Sequence, residues 1–488
     1  MIKLLYIDLF CGAGGTTTGV EAARINGRKC AKVIACVNHD ANAIASHAAN
    51  HPSAKHFTED IRTLDIRQLK RLVEDARKRY RKARLVLWAS LECTNFSRAK
   101  GGKPRDPDSR TLAEHLVRYV DILDPDFIQI ENVEEFMAWG PLDEHGRPAS
   151  RLRGCDYLRW VDNVCSYGYS YSYRIINAAD HGAYTSRKRY FGLFAKHGLR
   201  HNYPEATYSK QGDSKDNLFH DTLRPWKAVL DVLDIEDEGE NIFMRKRPLV
   251  ENTLKRIYAG LVKFAGNGNE NFTVRYNQVK PEDTVKSVEC PCGVLTAENR
   301  FGLVKCVFLC KNYSGHDSSK SISVNGPAGT VTAKDHHALI TYYKHGNMTG
   351  CNRPAPAILA KDHVAKVTYF LMNPQYNSAG GSVDKPCFTL IAHMDKAPPY
   401  LVTTKEGTGI AVYETDSPMT VKIKEFMATH GISEIKMRML KVSELKAIMG
   451  FPADYILKGT ISEQKKYIGN AVEVNMSRRL CEALAETV

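Results

Sequence analysis

The stretch Asp8-Leu9-Phe10-Cys11-Gly12-Ala13-Gly14-Gly15 decides the fold of this chain. The apolar residues 4–10 predict a β-strand, and residues 19–25 have the pattern of a helix. Glycines between a strand and a helix permit a tight turn that brings backbone N–H groups and a helix N-terminus close to a ligand. Such a turn also occurs in proteins that bind no ligand there, so a binding role needs support from the rest of the sequence.

Short apolar runs alternate with helical patterns over residues 1–200, which predicts a mainly parallel sheet covered by helices, the α/β class. The predicted strands are residues 4–10, 32–37, 85–89, 127–131, 171–177 and 190–195. The predicted helices are residues 40–50, 66–84 and 111–123, with 443–449 and 475–485 near the end of the chain.

Four groups of residues fall at or just after the carboxyl ends of predicted strands, where sheets of this kind bind ligands. They are residues 8–15, Asp60, residues 92–97 and residues 131–133. Their shared placement predicts one composite site.

The chain has 488 residues, a net charge of +13 and 13 cysteines. The basic excess suits a polyanion such as nucleic acid, although the part in residues 67–84 can equally be a solvated helix face. The first ten residues have the pattern of a strand and not of a signal peptide, so we expect reduced cysteines in a cytoplasmic protein. No stretch approaches the roughly 18 apolar residues of a membrane span.

Composition changes near residue 265, where a region rich in Thr, Val, Gly and Pro begins. An internal repeat starts at Pro291, Pro327 and Pro354, with a weaker copy from Pro386. Each copy has the pattern of a turn, a short strand and a polar loop, which predicts a β-rich domain with protruding loops. We therefore divide the chain into residues 1–264, a β-rich domain at 265–435, and a segment at 436–488 that returns to the first domain.

Three further motifs carry side chains suited to catalysis. Cys93 follows a predicted strand and is either a nucleophile or a buried inert thiol. Glu131 follows another strand and is either an acid kept protonated by desolvation or a helix cap. Arg187 and Arg189 point the same way and suit a phosphate or a base carbonyl, unless they form only a solvated basic run.

In this order the motifs resemble those of the DNA (cytosine-5) methyltransferase family. The family patterns are Asp-Leu-Phe-x-Gly-x-Gly-Gly, Pro-Cys-Gln-x-Phe-Ser, Glu-Asn-Val, Gln-x-Arg-x-Arg and Gly-Asn-Ala/Ser-Val. This chain matches them at residues 8–15, Cys93 with 96–97, residues 131–133, Arg187 with Arg189, and residues 469–472. The resemblance covers about residues 1–210 and 436–488.

The chain departs from the family at a few positions. Glu92, Thr94, Thr185 and Glu473 replace the usual Pro, Gln, Gln and Pro. Asn38 stands where the family has a ribose-binding acid, with Asp40 nearby.

The resemblance implies a Rossmann-like methyltransferase domain of the α/β class joined to a smaller β-rich target-recognition domain. It implies S-adenosylmethionine as the cofactor, bound by Asp8, Phe10, Gly12, Gly14, Gly15, Asn38, Asp40, Asp60, Ile61, Asn470 and Val472. The implied catalytic residues are Cys93, Glu131, Arg187 and Arg189, and the implied substrate-binding residues are Glu92, Ser97 and Arg110.

The implied reaction is methylation of C5 of cytosine in a specific double-stranded DNA sequence. Cys93 adds to C6 of a flipped-out base while Glu131 protonates N3. Glu92 is expected to accept a hydrogen bond from the amino group of that base, unless it faces solvent. The alternatives are methylation of tRNA, which one branch of the family performs, and a DNA-binding relic without activity.

The expected partner is duplex DNA, bound by a monomer. A functional pairing with a restriction endonuclease is a further hypothesis. No metal is expected at the active site. A zinc site is the weaker hypothesis for Cys290, Cys292, Cys306 and Cys310, because their spacing differs from the common zinc pairs. Cys292 also lies in a repeat whose other copies have alanine at that position.

Overall fold

The computed structural model describes residues 1–91, 112–141, 154–210, 223–262 without 235 and 238, and 411–488 without 431 and 433. Between residues 263 and 410 it describes only the short strands given below. The chain divides into two compact units, Met1–Trp226 with Lys446–Val488, and Lys227–Leu445. The predicted limits 1–264, 265–435 and 436–488 divide the chain by function and stay a prediction.

The first unit combines a large sheet with helices. Its strands are β1 (Leu4–Leu9), β2 (Arg24–Ile25), β3 (Arg28–Lys29), β4 (Ala31–Asn38), β5 (Lys55–Thr58), β6 (Arg84–Ser90), β7 (Phe127–Asn132), β8 (Tyr169–Asn177), β9 (Lys188–Lys196), β10 (Tyr208–Ser209) and β11 (Arg224–Pro225). Its helices are α1 (Gly15–Ala22), α2 (Ala41–Asn50), α3 (Ile66–Arg79), α4 (Leu116–Leu123), α5 (Cys155–Cys165), α9 (Ile461–Asn470) and α10 (Val474–Ala485).

The large sheet has the strand order β5-β4-β1-β6-β7-β9-β8. The strands run parallel except β9, which is antiparallel to both of its neighbours. The side chains of β1 alternate between two buried faces. Leu5 packs in the same apolar cluster as residues of α3, α4 and α5, while Tyr6 packs in the cluster that holds residues of α1 and α10. The predicted α/β fold, with a mainly parallel sheet covered by helices, is confirmed.

All six predicted strands are present, and their ends agree to about two residues. The sequence placed Asp60 at a strand end but gave no range for that strand, β5, which has four residues and only Phe57 buried. The prediction of one helix over residues 66–84 was wrong at its end, because α3 stops at Arg79 and the chain turns at Tyr80 before β6. The predicted helix at residues 111–123 is shorter as well, with α4 preceded by a turn at 112–115.

Helix α3 carries much of the basic excess of the first unit. It buries Ile66, Leu69 and Val73 against the sheet, so its many lysines and arginines lie on the other side. None of the described helices is long and apolar enough to cross a membrane.

The second unit is rich in short strands, as expected. Its described strands are β12 (Glu240–Asn241), β13 (Phe272–Val274), β14 (Val285–Ser287), β15 (Phe301–Gly302), β16 (Leu309–Lys311), β17 (Ser321–Ile322), β18 (His337–Leu339), β19 (Tyr369–Asn373), β20 (Gly381–Ser382), β21 (Tyr400–Lys405) and β22 (Glu434–Met439). Its helices are α6 (Glu251–Gly260) and α7 (Pro418–Thr429), and α8 (Val442–Ile448) lies across the division at Leu445.

Most of the described strands of the second unit form one mixed sheet, in the order β12-β22-β15-β19-β13-β14-β20, with β21 paired to β19 and β22. A smaller sheet has the order β17-β16-β18. The repeat copies that begin at Pro291, Pro327, Pro354 and Pro386 lie outside the described residues, and so do Cys290, Cys292 and Cys306. Cys310 lies in β16.

Candidate active site

The glycine loop, residues 10–15, joins the carboxyl end of β1 to the start of α1. Its backbone turns sharply, with positive φ angles at Phe10 (58°), Gly12 (51°) and Gly14 (106°). Gly14 occupies the N-cap position of α1 and offers no side chain to the first N–H groups of the helix. A Cβ atom added to Gly12 would have no described atom within 4 Å. The loop therefore presents an open edge and helix N–H groups to a polar or anionic ligand.

Asp8 lies on the face of β1 that packs against α1. Its side chain is fully buried, and Thr17 Oγ1 of α1 donates a hydrogen bond to Asp8 Oδ2 at 2.8 Å. Burial raises the pKa of Asp8 to about 7, although the hydrogen bond from Thr17 opposes the shift. Asp8 thus ties α1 to the sheet directly behind the glycine loop, and its contact with the cofactor stays a prediction.

Asn38 and Asp40 lie where β4 ends and α2 begins. Asn38 Oδ1 accepts a hydrogen bond from the backbone N–H of Asp40 at 2.9 Å. Asp40 caps α2 by accepting from Ala43 N at 3.0 Å, and the same oxygen accepts from Tyr467 Oη at 2.9 Å. The carboxylate of Asp40 is therefore engaged in positioning α2 and α9.

Asp60 and Ile61 follow the end of β5. Arg62 forms an ion pair with Asp60 at 2.7 Å, and its hydrogen bonds lower the pKa of the Asp60 carboxyl. The Ile61 side chain is buried, and its carbonyl accepts hydrogen bonds from Tyr119 Oη at 2.7 Å and Arg118 Nη1 at 3.1 Å. These contacts fix the backbone at Ile61, where the family resemblance predicts a cofactor contact.

The return segment, residues 446–488, forms part of the wall around the glycine loop. Tyr455 Oη donates to Ala13 O at 2.6 Å. A Cβ atom on Gly15 would overlap the backbone carbonyl of Val472, so the two backbones touch. Val472 itself is buried, whereas Asn470 at the end of α9 is exposed. Both residues lie at the loop between α9 and α10, in the first unit.

Glu131 is a buried carboxyl group that lies next to an arginine. It lies near the end of β7 and is 5% exposed. Its Oε1 lies 3.3 Å from Nε of Arg189, which reaches it from the neighbouring strand β9. A buried charged group is retained only when it is paired, so each side chain depends on the other. The structure thus brings Glu131 and Arg189 together as a buried pair, and their catalytic roles stay a prediction.

Asn132 follows Glu131 and is almost completely buried. Its Oδ1 accepts a hydrogen bond from Val133 N at 2.8 Å. Its Nδ2 has no hydrogen-bond partner among the described residues. A buried amide donor in this state can take one further polar partner at the carboxyl end of β7.

Arg187 precedes β9 and contacts the return segment. Its Nη1 donates to Gly469 O at 3.1 Å, and the side chain is 4% exposed. Arg187 and Arg189 are both buried, which excludes the alternative of a solvated basic run. Thr185, the replacement for the usual Gln, is fully buried.

Glu92, Cys93, Thr94, Ser97 and Arg110 lie outside the described residues, so their predicted roles are not tested. The structure does describe the strand that leads to them. Ser90, at the end of β6, is the register partner of Glu131 on β7.

Sequence reasoning missed the tyrosine hydroxyls of Tyr455 and Tyr467, which bind partners more than 400 residues away in the chain. No local spacing reveals such contacts. Glu473, noted only as a departure from the family, caps α10 by accepting from Met476 N at 2.7 Å. Here a signal existed, since a carboxylate before a helical pattern is favourable at a helix N-terminus.

The sheet order, the open glycine loop and the buried Glu131–Arg189 pair define an α/β protein with a candidate ligand-binding edge in its first unit. The chain belongs to the C-5 cytosine-specific DNA methylase family, whose sequence model matches residues 4–486.

Two curated relatives indicate the range of similarity. The Type II methyltransferase M.DdeI of Desulfomicrobium norvegicum is 24% identical over 328 residues, 67% of this chain and 66% of the relative. The Type II methyltransferase M1.HphI of Haemophilus parahaemolyticus is 26% identical over 221 residues, 45% of this chain and 53% of the relative. The chain thus spans about half to two thirds of the length of these relatives.

A similar solved structure is DNMT2 of Spodoptera frugiperda, which is 13% identical with a TM-score of 0.48 over 99% of both chains.

Proposed function

We propose that this protein transfers a methyl group from S-adenosylmethionine to C5 of cytosine in a specific sequence of double-stranded DNA. The observation that carries the proposal is the buried pair of Glu131 and Arg189 at the edge of the sheet. Ser90, three residues before Cys93, is paired with Glu131 in the sheet. Three residues span at most about 10 Å, and this short separation in sequence supports a role for Cys93 beside Glu131.

The glycine loop fits the proposed cofactor. The N–H groups at the start of α1 and the open side of Gly12 suit a carboxylate and an extended backbone. Asn38 offers an amide for ribose hydroxyls, in place of the usual acid. S-adenosylmethionine, when bound here, supplies an electrophilic methyl group.

Cys93 is proposed to start the reaction. Its thiolate adds to C6 of cytosine, and the electrons of the C5–C6 double bond move into the ring and make C5 nucleophilic. Glu131 is proposed to take up a proton from solvent when the base binds and to donate it to N3, which relieves the charge that develops on the ring. After C5 has gained the methyl group, the C5 proton leaves to a base, the thiolate of Cys93 is expelled, and the double bond forms again. N3 returns its proton to Glu131 in this step, so the product is neutral 5-methylcytosine.

The arginines are proposed to hold this arrangement. Arg189 orients the carboxyl of Glu131, and Arg187 fixes the return segment through Gly469. Glu92 is proposed to accept from the exocyclic amino group of the base, with Ser97 and Arg110 contacting the DNA nearby.

The substrate is proposed to be duplex DNA, bound by a monomer in the cytoplasm. A cytosine inside a duplex cannot reach a buried carboxyl, so the base must flip out of the stack. The net charge of +13 supports a polyanionic partner. Because curated relatives are named Type II methyltransferases, pairing with a restriction endonuclease is part of the proposal.

The proposal is tested by trapping the covalent intermediate. Fluorine at C5 cannot leave as a proton does, so duplex DNA with 5-fluorocytosine at every cytosine should stay bonded to the protein after methyl transfer. We expect the adduct at Cys93 by peptide mapping, its loss in Cys93→Ala, and its retention in Cys165→Ala. An adduct at another cysteine, or methyl transfer without any adduct, would contradict the mechanism.

A further inference from the structure

A cluster formed by Cys36, His47 and His56 lies directly behind the glycine loop. Cys36 on β4 and His56 on β5 are register partners in neighbouring parallel strands, so their side chains leave the same face of the sheet. Helix α2 packs beside these strands and adds His47. One nitrogen or sulfur atom from each residue lies within 4.8 Å of those of the other two.

The hydrogen bonds among the described residues do not satisfy every ring nitrogen of this cluster. His47 Nδ1 lies 2.9 Å from His56 Nε2, so one ring donates to the other. His47 is fully buried, and its Nε2 has no hydrogen-bond partner among the described residues. Leaving a buried ring nitrogen without a partner costs about 1–3 kcal/mol. His47 therefore has one ring nitrogen for which the described residues supply no partner.

We propose that Cys36, His47 and His56 bind one zinc-class divalent ion, with water as the fourth ligand. Two imidazoles and one thiolate are the donor set that Zn²⁺ prefers. Zinc bonds of about 2.0–2.3 Å place ligand atoms roughly 3–4 Å apart, so side-chain shifts of about 1 Å complete the site. This site is separate from the proposed methyl transfer and does not depend on it.

Binding of the ion releases one proton from the protein. Both imidazoles bind as neutral rings, and the Cys36 thiol releases its proton to solvent as the sulfur–metal bond forms. His56 is partly exposed, so the ion has a route from solvent to the two buried ligands.

The position of the cluster gives the ion a structural role. A Cβ atom on Gly14 would lie 3.1 Å from Cδ2 of His47, so the ring packs against the glycine loop. One ion would therefore join β4, β5 and α2 just behind that loop. We expect zinc to stabilise the first unit against unfolding, since it binds only the folded arrangement.

Cobalt titration tests the proposal. The full chain is stripped with a chelator and titrated with Co²⁺, which reports tetrahedral geometry in visible absorption and a thiolate ligand in the near ultraviolet. We expect one equivalent with both signals, displaced by Zn²⁺. Cys36→Ser should lose the thiolate band, and His56→Gln should bind about ten-fold more weakly or worse. The matched controls Cys165→Ser and His197→Gln should titrate like the parent.

Two results would overturn the proposal. The first is that the parent chain gives no thiolate band with Co²⁺. The second is that Cys36→Ser and His56→Gln bind Co²⁺ as the parent does, because the ion would then lie on other cysteines. If circular dichroism shows that a variant is unfolded, the parent chain is used to test the site. Its urea unfolding midpoint should rise with added Zn²⁺, and an unchanged midpoint would contradict the site.

Discussion

At the scale of single residues, the central contact of the site is the pair of Glu131 and Arg189. It joins two adjacent strands, β7 and β9, inside the protein. The sequence placed both residues at strand ends or starts, and the family motif assigned them to one site. The pairing of the two strands, which brings the carboxyl and the guanidinium to 3.3 Å, could not be read from the chain.

Glu131→Gln should slow methyl transfer while leaving DNA binding nearly intact. Gln keeps the shape of the side chain but has no acidic proton for N3, so we expect a single-turnover rate about 100-fold lower or worse. Glu134→Gln, an exposed neighbour in the following short helix, is the control and should keep the parent rate. An unchanged rate in Glu131→Gln would remove the proton-donor role.

Asp8 gives a prediction about stability and pH. Its folded pKa of about 7 lies above the ordinary 3.8, so the native state holds a proton that the unfolded chain has lost between these values. The free energy of unfolding therefore falls as the pH rises from 3.8 to about 7 and levels off above that pH. Asp8→Asn should match the parent well below pH 3.8 and be more stable at pH 8 by on the order of 4 kcal/mol.

Urea unfolding at several pH values measures this difference. The control is Asp121→Asn, an exposed carboxyl on α4, which should show no comparable trend. A stability difference for Asp8→Asn that does not vary with pH would contradict the account of this buried carboxyl.

At the scale of elements, long apolar runs made the central sheet predictable. Strands such as β1 and β6 are buried almost throughout, and their sequences are apolar for the same reason. Short or amphipathic elements gave weaker signals: β5 buries one residue, and the charged sequence of α3 contains no stop signal before Tyr80. The segment before the last helix, noted only for its motif, is largely helix α9.

The close packing of α1 on α10 is a feature that only the structure reveals. A Cβ atom on Gly19 would overlap the Ser477 hydroxyl and the Val474 carbonyl and lie 2.7 Å from Arg478 N. The position thus lets the return segment touch the helix that follows the glycine loop.

Gly19→Ala should destabilise the protein by about 1–3 kcal/mol, because overpacking costs more than the roughly 1 kcal/mol gained in helix propensity. Urea unfolding measures the change. Gly27→Ala is the control: an added Cβ there meets no described atom within 4 Å, so only its positive φ of 74° is penalised, by about 1 kcal/mol. Equal stability of Gly19→Ala and the parent would show that the two helices can separate at no cost.

At the scale of the whole molecule, the first unit contains the proposed chemistry and the second contains the repeats. The sequence predicted both parts because their patterns differ, with alternating strands and helices in one and short strands in the other. It could not reveal the histidine cluster, since Cys36, His47 and His56 meet only when β4, β5 and α2 assemble.

The polar loops of the repeat region are predicted to read DNA. Lys334 and Lys361 follow the strand-like runs of two copies, with His336 and His363 nearby. Lys334→Ala with Lys361→Ala should weaken binding to all sequences alike and reduce its salt dependence, because a phosphate contact carries no sequence information. The paired histidine variants should instead change which site is methylated, if they touch base edges.

Binding at several salt concentrations and bisulfite sequencing of methylated plasmid measure these two effects. Lys458→Ala, an exposed lysine of the first unit, serves as the control. If none of the four substitutions alters affinity or site choice, recognition lies elsewhere in residues 265–430.

The central claim is that this chain methylates cytosine C5 in duplex DNA, and methyl incorporation from labelled S-adenosylmethionine tests it most directly. Purified protein is offered duplex DNA and tRNA in parallel, and the labelled nucleoside is identified after digestion. The account predicts 5-methylcytosine in the DNA, confined to one short sequence, no label in tRNA, and none in either with Cys93→Ala. Label in tRNA, label on another base or atom, or full activity of Cys93→Ala would contradict it.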